Sequence, residues 1–346
     1  MARGADRRLE LGNADWRINS SRFHITDVED GRKDRRTAGS VSGPRPATLL
    51  FDPTAAEAIE NYLRGCIVSD TSLTAPFTLV IDRLRISDAV SGIKHTVTMD
   101  FNFKMVREME GVKTTVFEQS IKPRFTAAGQ DAPAGFYENP LKQALQKFLS
   151  GFEEWAEQSR KSPLFMNHVQ VRFPSVPNAS DYPSGDTIPW SPDYRLEWTD
   201  FKGKYDGMSP FSAQSNCVYT LRTKPVFEND TMYLDEDIGP CFTRKASWVR
   251  EDALQDTLLM HEQLHFDLCE LYARRFRQKL SDLPLGLVSF DKQINALFSE
   301  TWNEYRNRQQ LYDAETSHGT ISEEQLRWIN QVKVELEELK AWMVIR

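Results

Sequence analysis

The chain has 346 residues, of which 40% are hydrophobic and 27% charged, and its formal net charge is −7. This composition is typical of globular proteins and excludes wholesale disorder or a fibrous class, while the length favours two domains over one. The acidic balance argues against a nucleic-acid partner, because nucleic-acid binding needs a concentrated positive surface. No run of 18 or more apolar residues occurs, so no transmembrane segment is expected.

The first half of the chain predicts a small α+β module at residues 49–165. Residues 1–48 form a polar N-terminal segment, in which 31–46 predicts a linker or loop. A helix is expected from Pro53, because apolar residues recur there at helical spacing, and a second helix is expected at 140–158. Between the two helices lie three strand-like runs, at 77–86, 94–106 and 112–121. This order, α-β-β-β-α, carries no group of residues that points to chemistry.

The second half predicts a separate domain at 166–346. A Pro- and Ser-rich stretch at 174–194 predicts the boundary or a long surface connection. The predicted strands lie at 216–223 and 230–235, with 239–249 as an extension of the same sheet. The predicted helices lie at 250–280, 291–311 and 322–343. Cys217 and Cys241 fall in the strand-like segments, which allows one disulfide between them. The chain contains no CxxC pair, so neither a disulfide framework nor a zinc knuckle is expected.

The first of these helices contains the pentad HEQLH, from His261 to His265. Positions i and i+4 lie one turn apart on the same face of a helix, so both histidines can reach one zinc ion. Glu262 is close enough to water at the metal to serve as a general base. Because five letters with two wildcards also match by chance, the alternative is a core helix with two hydrogen-bonded histidines. The strongly apolar helix favours the metal site, since inward-facing polar rings need a partner.

A catalytic zinc site needs a third protein ligand and an open position. Asp267 and Glu270 point away from the histidine face of the helix, and Cys269 is expected to pack as a buried thiol. The metzincin pattern HExxHxxGxxH is also excluded, because the required third histidine and glycine are missing. The third ligand must therefore come from further along the chain, where the options are Glu300, Glu304 and His318.

The stretch YDAETSHG, residues 312–319, supplies the favoured option. His318 is the one histidine downstream of the pentad, and we predict it as the third ligand rather than as part of an ordinary polar turn between helices. Asp313 or Glu315 can orient a ligand from behind. Tyr312 can donate a hydrogen bond to a developing oxyanion.

Four segments of the second half occur in the order and style of the DUF922 bacterial proteins, which are regarded as secreted zinc-dependent proteases. The segments are RLEWTDFKGKYDGMSPFSAQS, GPCFTRKASWV, LLMHEQLHFDLCELYARRF and YDAETSHG. The chain resembles this family over about 191–346. The resemblance implies zinc binding by His261 and His265, catalysis by Glu262, and a match of His318 to a histidine of the last segment. It also implies a periplasmic or secreted location, although no signal peptide is visible and a full-length chain of this kind would be cytoplasmic.

The resemblance further implies where a substrate binds. In zincin-like folds, the strand before the active-site helix is often a sheet edge to which an extended peptide adds as another strand. We therefore predict that Cys241, Phe242 and Thr243 bind substrate. The alternative is an ordinary edge strand that two adjacent basic residues protect from aggregation.

Together these observations predict an α+β protein with a zincin-like C-terminal domain, built from a small mixed or antiparallel sheet, the HExxH helix and two further helices. The predicted function is zinc-dependent hydrolysis of peptide bonds in a peptide or protein substrate. The alternative is a non-catalytic, envelope-associated binding or assembly protein with a structural or vestigial zinc site. A third possibility is that the N-terminal module recruits a protein partner and that peptidase activity is confined to that partner.

Overall fold

The computed structural model describes residues 5–174, 185–205 and 207–344. The described part of the chain is a mixed α+β structure with five α-helices and several sheets. The chain folds into two compact units, one of Met1–His168 with Phe227–Thr231 and one of Val169–Val226 with Met232–Arg346. Among the helices of the described residues, none combines the length and apolar character that a bilayer crossing requires. Residues 175–184 of the predicted connection at 174–194 lie outside the described residues.

The first unit is built on a sheet whose long central strands, β7 and β8, form an antiparallel pair. Its strands are β1 Ala5–Arg8, β2 Ile18–Ser20, β3 Phe23–Asp30, β4 Thr37–Ser42, β5 Ala47–Leu50, β6 Ile67–Ser69, β7 Ala75–Ser91, β8 Lys94–Met109, β9 Val112–Ile121 and β10 Arg124–Ala128. Its helices are α1 Ala55–Leu63 and α2 Glu138–Gln158. β3 and β4 pair in parallel with successive parts of β7, while β9 and β10 pair with successive parts of β8. The predicted helix, three strands and helix are present as α1, β7, β8, β9 and α2, but two strands that were not predicted, β6 and β10, also lie between the helices.

The linker predicted at 31–46 was wrong where it covers Thr37–Ser42. This segment is the strand β4, which lies between β5 and β7 in the sheet. Gly39 approaches Ile86 so closely that a Cβ atom at Gly39 would lie 1.8 Å from the Ile86 carbonyl oxygen. The stretch was predicted as a loop because its residues are small and polar. Pairing with β5, which follows after four residues, and with β7, which is distant in sequence, satisfies its backbone hydrogen bonds.

The core of the first unit is a layer of aromatic rings between α2 and the sheet. The ring of Phe152 lies 4.6 Å from that of Phe23 and 5.3 Å from that of Phe77, and Phe148 lies 5.6 Å from Phe103. All five side chains are buried. The rings come from a helical stripe on α2 and from alternate positions on the strands, which is the patterning that predicted both element types.

The second unit combines small sheets with three long helices. Its strands are β11 His168–Arg172, β12 Thr187–Pro189, β13 Ala213–Gln214, β14 Cys217–Glu228, β15 Thr231–Thr243 and β16 Trp248–Val249. Its helices are α3 Asp256–Asp282, α4 Phe290–Thr316 and α5 Ser322–Glu338. β15 is the central strand of a four-stranded sheet with β11, β12 and β14, and β13 pairs with β16 in a separate two-stranded sheet.

Three helix ends differ clearly from those predicted, and one of them is the end of α5, which lies at Glu338 rather than at residue 343. α3 begins at Asp256 rather than at residue 250, because the Arg250 N–H donates to the carbonyl of Ser212 beside the β13–β16 pair. α4 continues to Thr316, so that most of the predicted interhelix loop is helical. Tyr312 and Thr316 lie one turn apart and are both fully buried, which favours helix over the turn that the polar letters predicted.

All four cysteines carry free, buried thiols. The single disulfide that the sequence allowed between Cys217 and Cys241 is therefore not formed. Burial raises the pKa of the Cys241 thiol to about 11, so this thiol is neutral at physiological pH.

We expect the Glu236→Gln substitution to stabilise the protein at alkaline pH. Glu236 is buried on β15, and its one hydrogen bond within the described residues comes from the Thr223 hydroxyl at 2.9 Å. Burial raises the pKa of Glu236 from 4.5 to about 7, so stability declines as the pH rises from about 4.5 to 7 and stays reduced above that range.

Glutamine mimics the neutral acid, so the gain in unfolding free energy should be about 1–2 kcal/mol at pH 8 and close to zero at pH 4.5. Denaturant titration at both pH values measures this gain. The exposed Glu251→Gln serves as the matched control and should change neither value. An equal gain at both pH values would contradict the assignment.

Candidate metal centre

The helix α3 is buried along most of its length, so its polar side chains need partners. Asp267 has three: Trp190 Nε1, Arg195 Nη1 and Gln263 Nε2 each lie 2.9 Å from its carboxylate. The Gln263 amide oxygen in turn accepts a hydrogen bond from the Leu196 N–H. Asp267 therefore anchors the segment before β13 onto the helix and faces away from the metal site, as the helix geometry predicted.

Glu270 is likewise occupied away from the site. Its carboxylate lies 2.6 Å from Arg274 Nε and 3.8 Å from Arg277 Nη1, and all three side chains are buried. Arg277 also donates to the main-chain oxygen of Ile238. This paired charge cluster packs the helix against β15 and contributes no free ligand.

On another face of α3, the two histidines of the pentad meet a carboxylate from α4. His261 Nε2 lies 3.2 Å from His265 Nε2. Asp313 Oδ1 lies 3.2 Å from His261 Nε2 and 3.0 Å from His265 Nε2. Ligands at about 2.0–2.1 Å from a tetrahedral zinc ion lie about 3.3–3.4 Å from one another. The three atoms therefore have the chemistry and the spacing of a zinc ligand set.

The pKa values of the three groups reflect their close approach. Burial favours the neutral acid, yet hydrogen bonds to His261 and His265 hold the pKa of Asp313 well below its usual range. Burial lowers the pKa of His261. Burial also opposes protonation of His265, but Asp313 and Glu262 outweigh it and raise the pKa of that ring. An ionised carboxylate fixed between two imidazoles attracts a cation to the point where the three groups meet.

His318 lies at the mouth of this group. It follows the end of α4 in the left-handed conformation, with a φ of 54°, and its Nδ1 is 3.6 Å from Asp313 Oδ1. Together with His261 and Asp313 it offers ligand atoms that all lie within 4.8 Å of one another. Its side chain is 50% exposed and packs against the ring of Phe211 at 4.7 Å. The described residues thus contain a group that can bind a metal ion, with His318 as its most solvent-accessible member.

Gly319 allows the loop after α4 to approach the site. Its φ is +81°, and a Cβ atom there would lie 2.9 Å from the Cβ of His261 and 2.8 Å from the amide oxygen of Gln325. A side chain at this position would meet both groups and would strain the backbone. The glycine therefore sets how closely His318 lies to His261.

A cleft of about 720 Å³ opens beside the histidines and is bounded by residues 210–215, by the first turns of α3 and by the end of α4 with its following loop. Glu262 lines this cleft and is 3% exposed. Its carboxylate has no hydrogen-bond or ion-pair partner among the described residues, unlike Asp267 and Glu270 on the same helix. A buried carboxylate that is left free and reaches a cleft suits a group that exchanges protons with a ligand.

Tyr312, predicted to bond a developing oxyanion, does not face the cleft. Its ring stacks on that of His261 at 4.5 Å, and its hydroxyl points at the main-chain oxygen of His261, 3.4 Å away. The side chain is fully buried behind the histidines. Tyr312 therefore supports the orientation of His261 by packing, and its position does not suit the catalytic role we assigned.

The three carboxylates considered as further ligands or supports lie elsewhere. Glu300 and Glu304 approach Lys279, at 3.8 Å and 2.8 Å. Glu315 accepts a hydrogen bond from Trp328 Nε1 at 2.8 Å. The carboxylate that meets the histidines is Asp313, which we had expected only to orient a ligand. The signal available in the sequence was its position in the same short stretch as His318.

The predicted substrate strand is not an edge. Cys241, Phe242 and Thr243 pair with β12, while β14 pairs with the same central strand β15. Cys241 and Phe242 are also buried, because β15 is in the middle of its sheet. The strand that borders the cleft is β13, which pairs only with β16 in the described part of the chain.

Comparison with known proteins supports the resemblance that the sequence indicated. Residues 236–319 match the model of a family described as "Bacterial protein of unknown function (DUF922)". This match supports membership of the DUF922 family, and the matched region is shorter than the 191–346 that we expected. It includes the pentad, Asp313 and His318. No curated protein matches the chain.

Two solved structures are similar to part of the chain. One is a crystal structure of a Xanthomonas campestris protein of family model DUF330, with 12% identity and a TM-score of 0.31, covering 46% of this chain and 100% of its own. The other is a crystal structure of a protein described as uncharacterized, with 10% identity and a TM-score of 0.26, covering 44% of this chain and 98% of its own. At these TM-scores neither likeness identifies the fold.

We expect Asp313 to contribute more to zinc affinity than His318. Asp313→Ala should lower the affinity at least about 100-fold, because it removes the carboxylate between the two imidazoles, whereas His318→Ala should lower it less than about tenfold. Competition with a chromophoric chelator measures both affinities. The exposed Asp282→Ala is the control for loss of one negative charge. A larger loss in His318→Ala than in Asp313→Ala would instead identify the histidine as the third ligand.

Proposed function

We propose that this protein is a zinc-dependent peptidase whose second unit is zincin-like. The observation that carries the proposal is the free carboxylate of Glu262, buried beside the His261, His265 and Asp313 group at the wall of an open cleft. A purely structural metal site has no use for an unpaired buried acid next to it. A hydrolase that must move a proton at that point does.

The donor set fits zinc, because two imidazole nitrogens and one carboxylate oxygen leave a fourth position for a ligand. Zinc, when bound by His261, His265 and Asp313, would polarise a peptide carbonyl and lower the pKa of water. The chain supplies the remaining steps. Glu262 takes a proton from the attacking water as the water oxygen bonds to the carbonyl carbon. Glu262 then gives that proton to the amine nitrogen as the C–N bond breaks.

His318 is suited to stabilise the charge that develops on the carbonyl oxygen. Its side chain is half-exposed at the mouth of the cleft, and its Nδ1 lies 3.6 Å from Asp313 Oδ1. An N–H donor at this distance from the ligand group can reach an oxygen in the cleft without itself binding the metal. This role replaces the one predicted for Tyr312.

Strand β13 is suited to hold an extended substrate. The Arg250 N–H donates to the Ser212 carbonyl, so in the antiparallel alternation the main-chain groups of Ala213 point away from β16. The same segment, 210–215, lines the cleft. A peptide that adds to this edge would pass along the face of α3 that carries Glu262.

The alternative function is a structural or vestigial metal site in a binding protein. It is favoured by the proximity of His318, since a fourth protein ligand would close the position that a substrate needs. The two functions differ in what Glu262 does, because a closed site does not require its proton transfer.

The test of the proposal is the Glu262→Gln variant. We expect it to retain one zinc ion per chain and to lose about 10²–10⁴-fold in kcat, because the amide cannot accept the proton from water. Metal content is measured on the purified protein, and cleavage is followed on a mixture of unfolded polypeptides by mass spectrometry. Glu251→Gln, an exposed acid just before α3, should leave both values unchanged. Equal proteolysis by the wild type and Glu262→Gln would exclude the mechanism.

The strand assignment predicts a separate effect on substrate binding. Ala213→Pro removes the N–H that points away from β16, so KM should rise about 3–10-fold with kcat nearly unchanged. Ala213→Val keeps the N–H and serves as the matched control. Steady-state kinetics on a peptide that the wild type cleaves measures both constants. If proline and valine raised KM equally, side-chain bulk rather than main-chain pairing would be responsible.

A further inference from the structure

A line of hydrogen bonds connects the metal site to strand β14. The His265 Nδ1 bonds to the side-chain oxygen of Gln309, one turn before Asp313 on α4. The Gln309 side-chain nitrogen bonds to the hydroxyl of Tyr305, one turn further back. The Tyr305 hydroxyl lies 2.8 Å from the main-chain oxygen of Cys217 on β14. Neither Gln309 nor Tyr305 was singled out by the sequence.

The last bond fixes the direction of all the others. A main-chain carbonyl only accepts hydrogen bonds, so Tyr305 must use its single proton to donate to Cys217. The Tyr305 oxygen is then left as an acceptor, and Gln309 must present its NH₂ group to it. The amide oxygen of Gln309 consequently faces His265. Since that oxygen has no proton to donate, the hydrogen atom in this bond belongs to His265 Nδ1.

The reverse arrangement would break a bond. If the Gln309 amide turned over, its oxygen and the Cys217 carbonyl would both need the one hydroxyl proton of Tyr305. Its NH₂ group would also face Nδ1–H, donor against donor. The Tyr305 hydroxyl has one proton, so it can donate to only one of the two acceptors. Its ring is buried among Tyr219, Tyr272 and Trp302.

We propose that Gln309 is a positioning residue that keeps the proton of His265 on Nδ1 and so reserves Nε2 for a metal ion. Nε2 is the nitrogen that lies 3.0 Å from Asp313 Oδ1 and 3.2 Å from His261 Nε2. A hydrogen-bond acceptor on the far nitrogen orients the ring and makes the ligating nitrogen more basic. The inference rests on the metal site of the proposed function but not on peptide hydrolysis.

The test is the zinc affinity of variants at Gln309, measured by chelator competition without any substrate. Gln309→Leu removes the acceptor and should weaken zinc binding about 10–100-fold. Gln309→Glu keeps an oxygen facing Nδ1–H and should stay within about threefold of the wild type. Gln310→Leu places the same side chain at the next, exposed position of α4 and is the matched control, with affinity unchanged. Unchanged affinity in Gln309→Leu would overturn the proposal.

A measurement on the wild type tests the same point without a mutation. In a zinc-loaded sample with ¹⁵N-labelled histidine, NMR correlation of the His265 ring should show a slowly exchanging proton on Nδ1 and zinc on Nε2. Zinc bound through Nδ1, or a wild-type chain that binds no zinc, would overturn the inference. The expected order of zinc affinities together with no cleavage of any polypeptide would instead remove the peptidase function and leave this inference standing.

Discussion

The burial of α3 is the constraint on which the second unit depends. Because the helix is enclosed along most of its length, each polar group on it must find a partner or reach the cleft. Asp267 finds partners in the segment that packs against the helix and so fastens that segment in place, whereas Glu270 pairs with Arg274 and Arg277 on the helix itself. Glu262 alone among these three acids is left free at the cleft. The same packing therefore holds the fold together and leaves one acid free for chemistry.

The facing helix α4 completes the site by matching the spacing of α3. His261 and His265 are one turn apart on α3, and Gln309 and Asp313 are one turn apart on α4. Two helices packed side by side present such pairs to each other in register. Asp313 consequently reaches both imidazoles. A metal site of this kind depends on the packing of two helices, because neither helix alone supplies all three groups.

Patterns that depend on near neighbours in the sequence predicted their structures well. The alternation in β8 and the apolar stripe of α2 gave the correct elements in the first unit. The three helices of the second unit were also predicted, with three of their six ends placed within two residues. Patterns that depend on distant partners failed. β4 was predicted as a loop because its residues are small and polar and one of its two partners, β7, is distant in the sequence. β15 was predicted as an edge because β12 lies some fifty residues upstream.

For the candidate site, the sequence by itself determined that His261 and His265 share a helix face, that Glu262 lies beside them, and that Asp267 and Glu270 point elsewhere. Helical periodicity alone decides those directions. Only the tertiary structure decided that Asp313 lies between the histidines, that Tyr312 packs behind His261, and that β13 borders the cleft. These facts depend on how separate elements pack against one another, and side-chain spacing within one element carries no information about its neighbours.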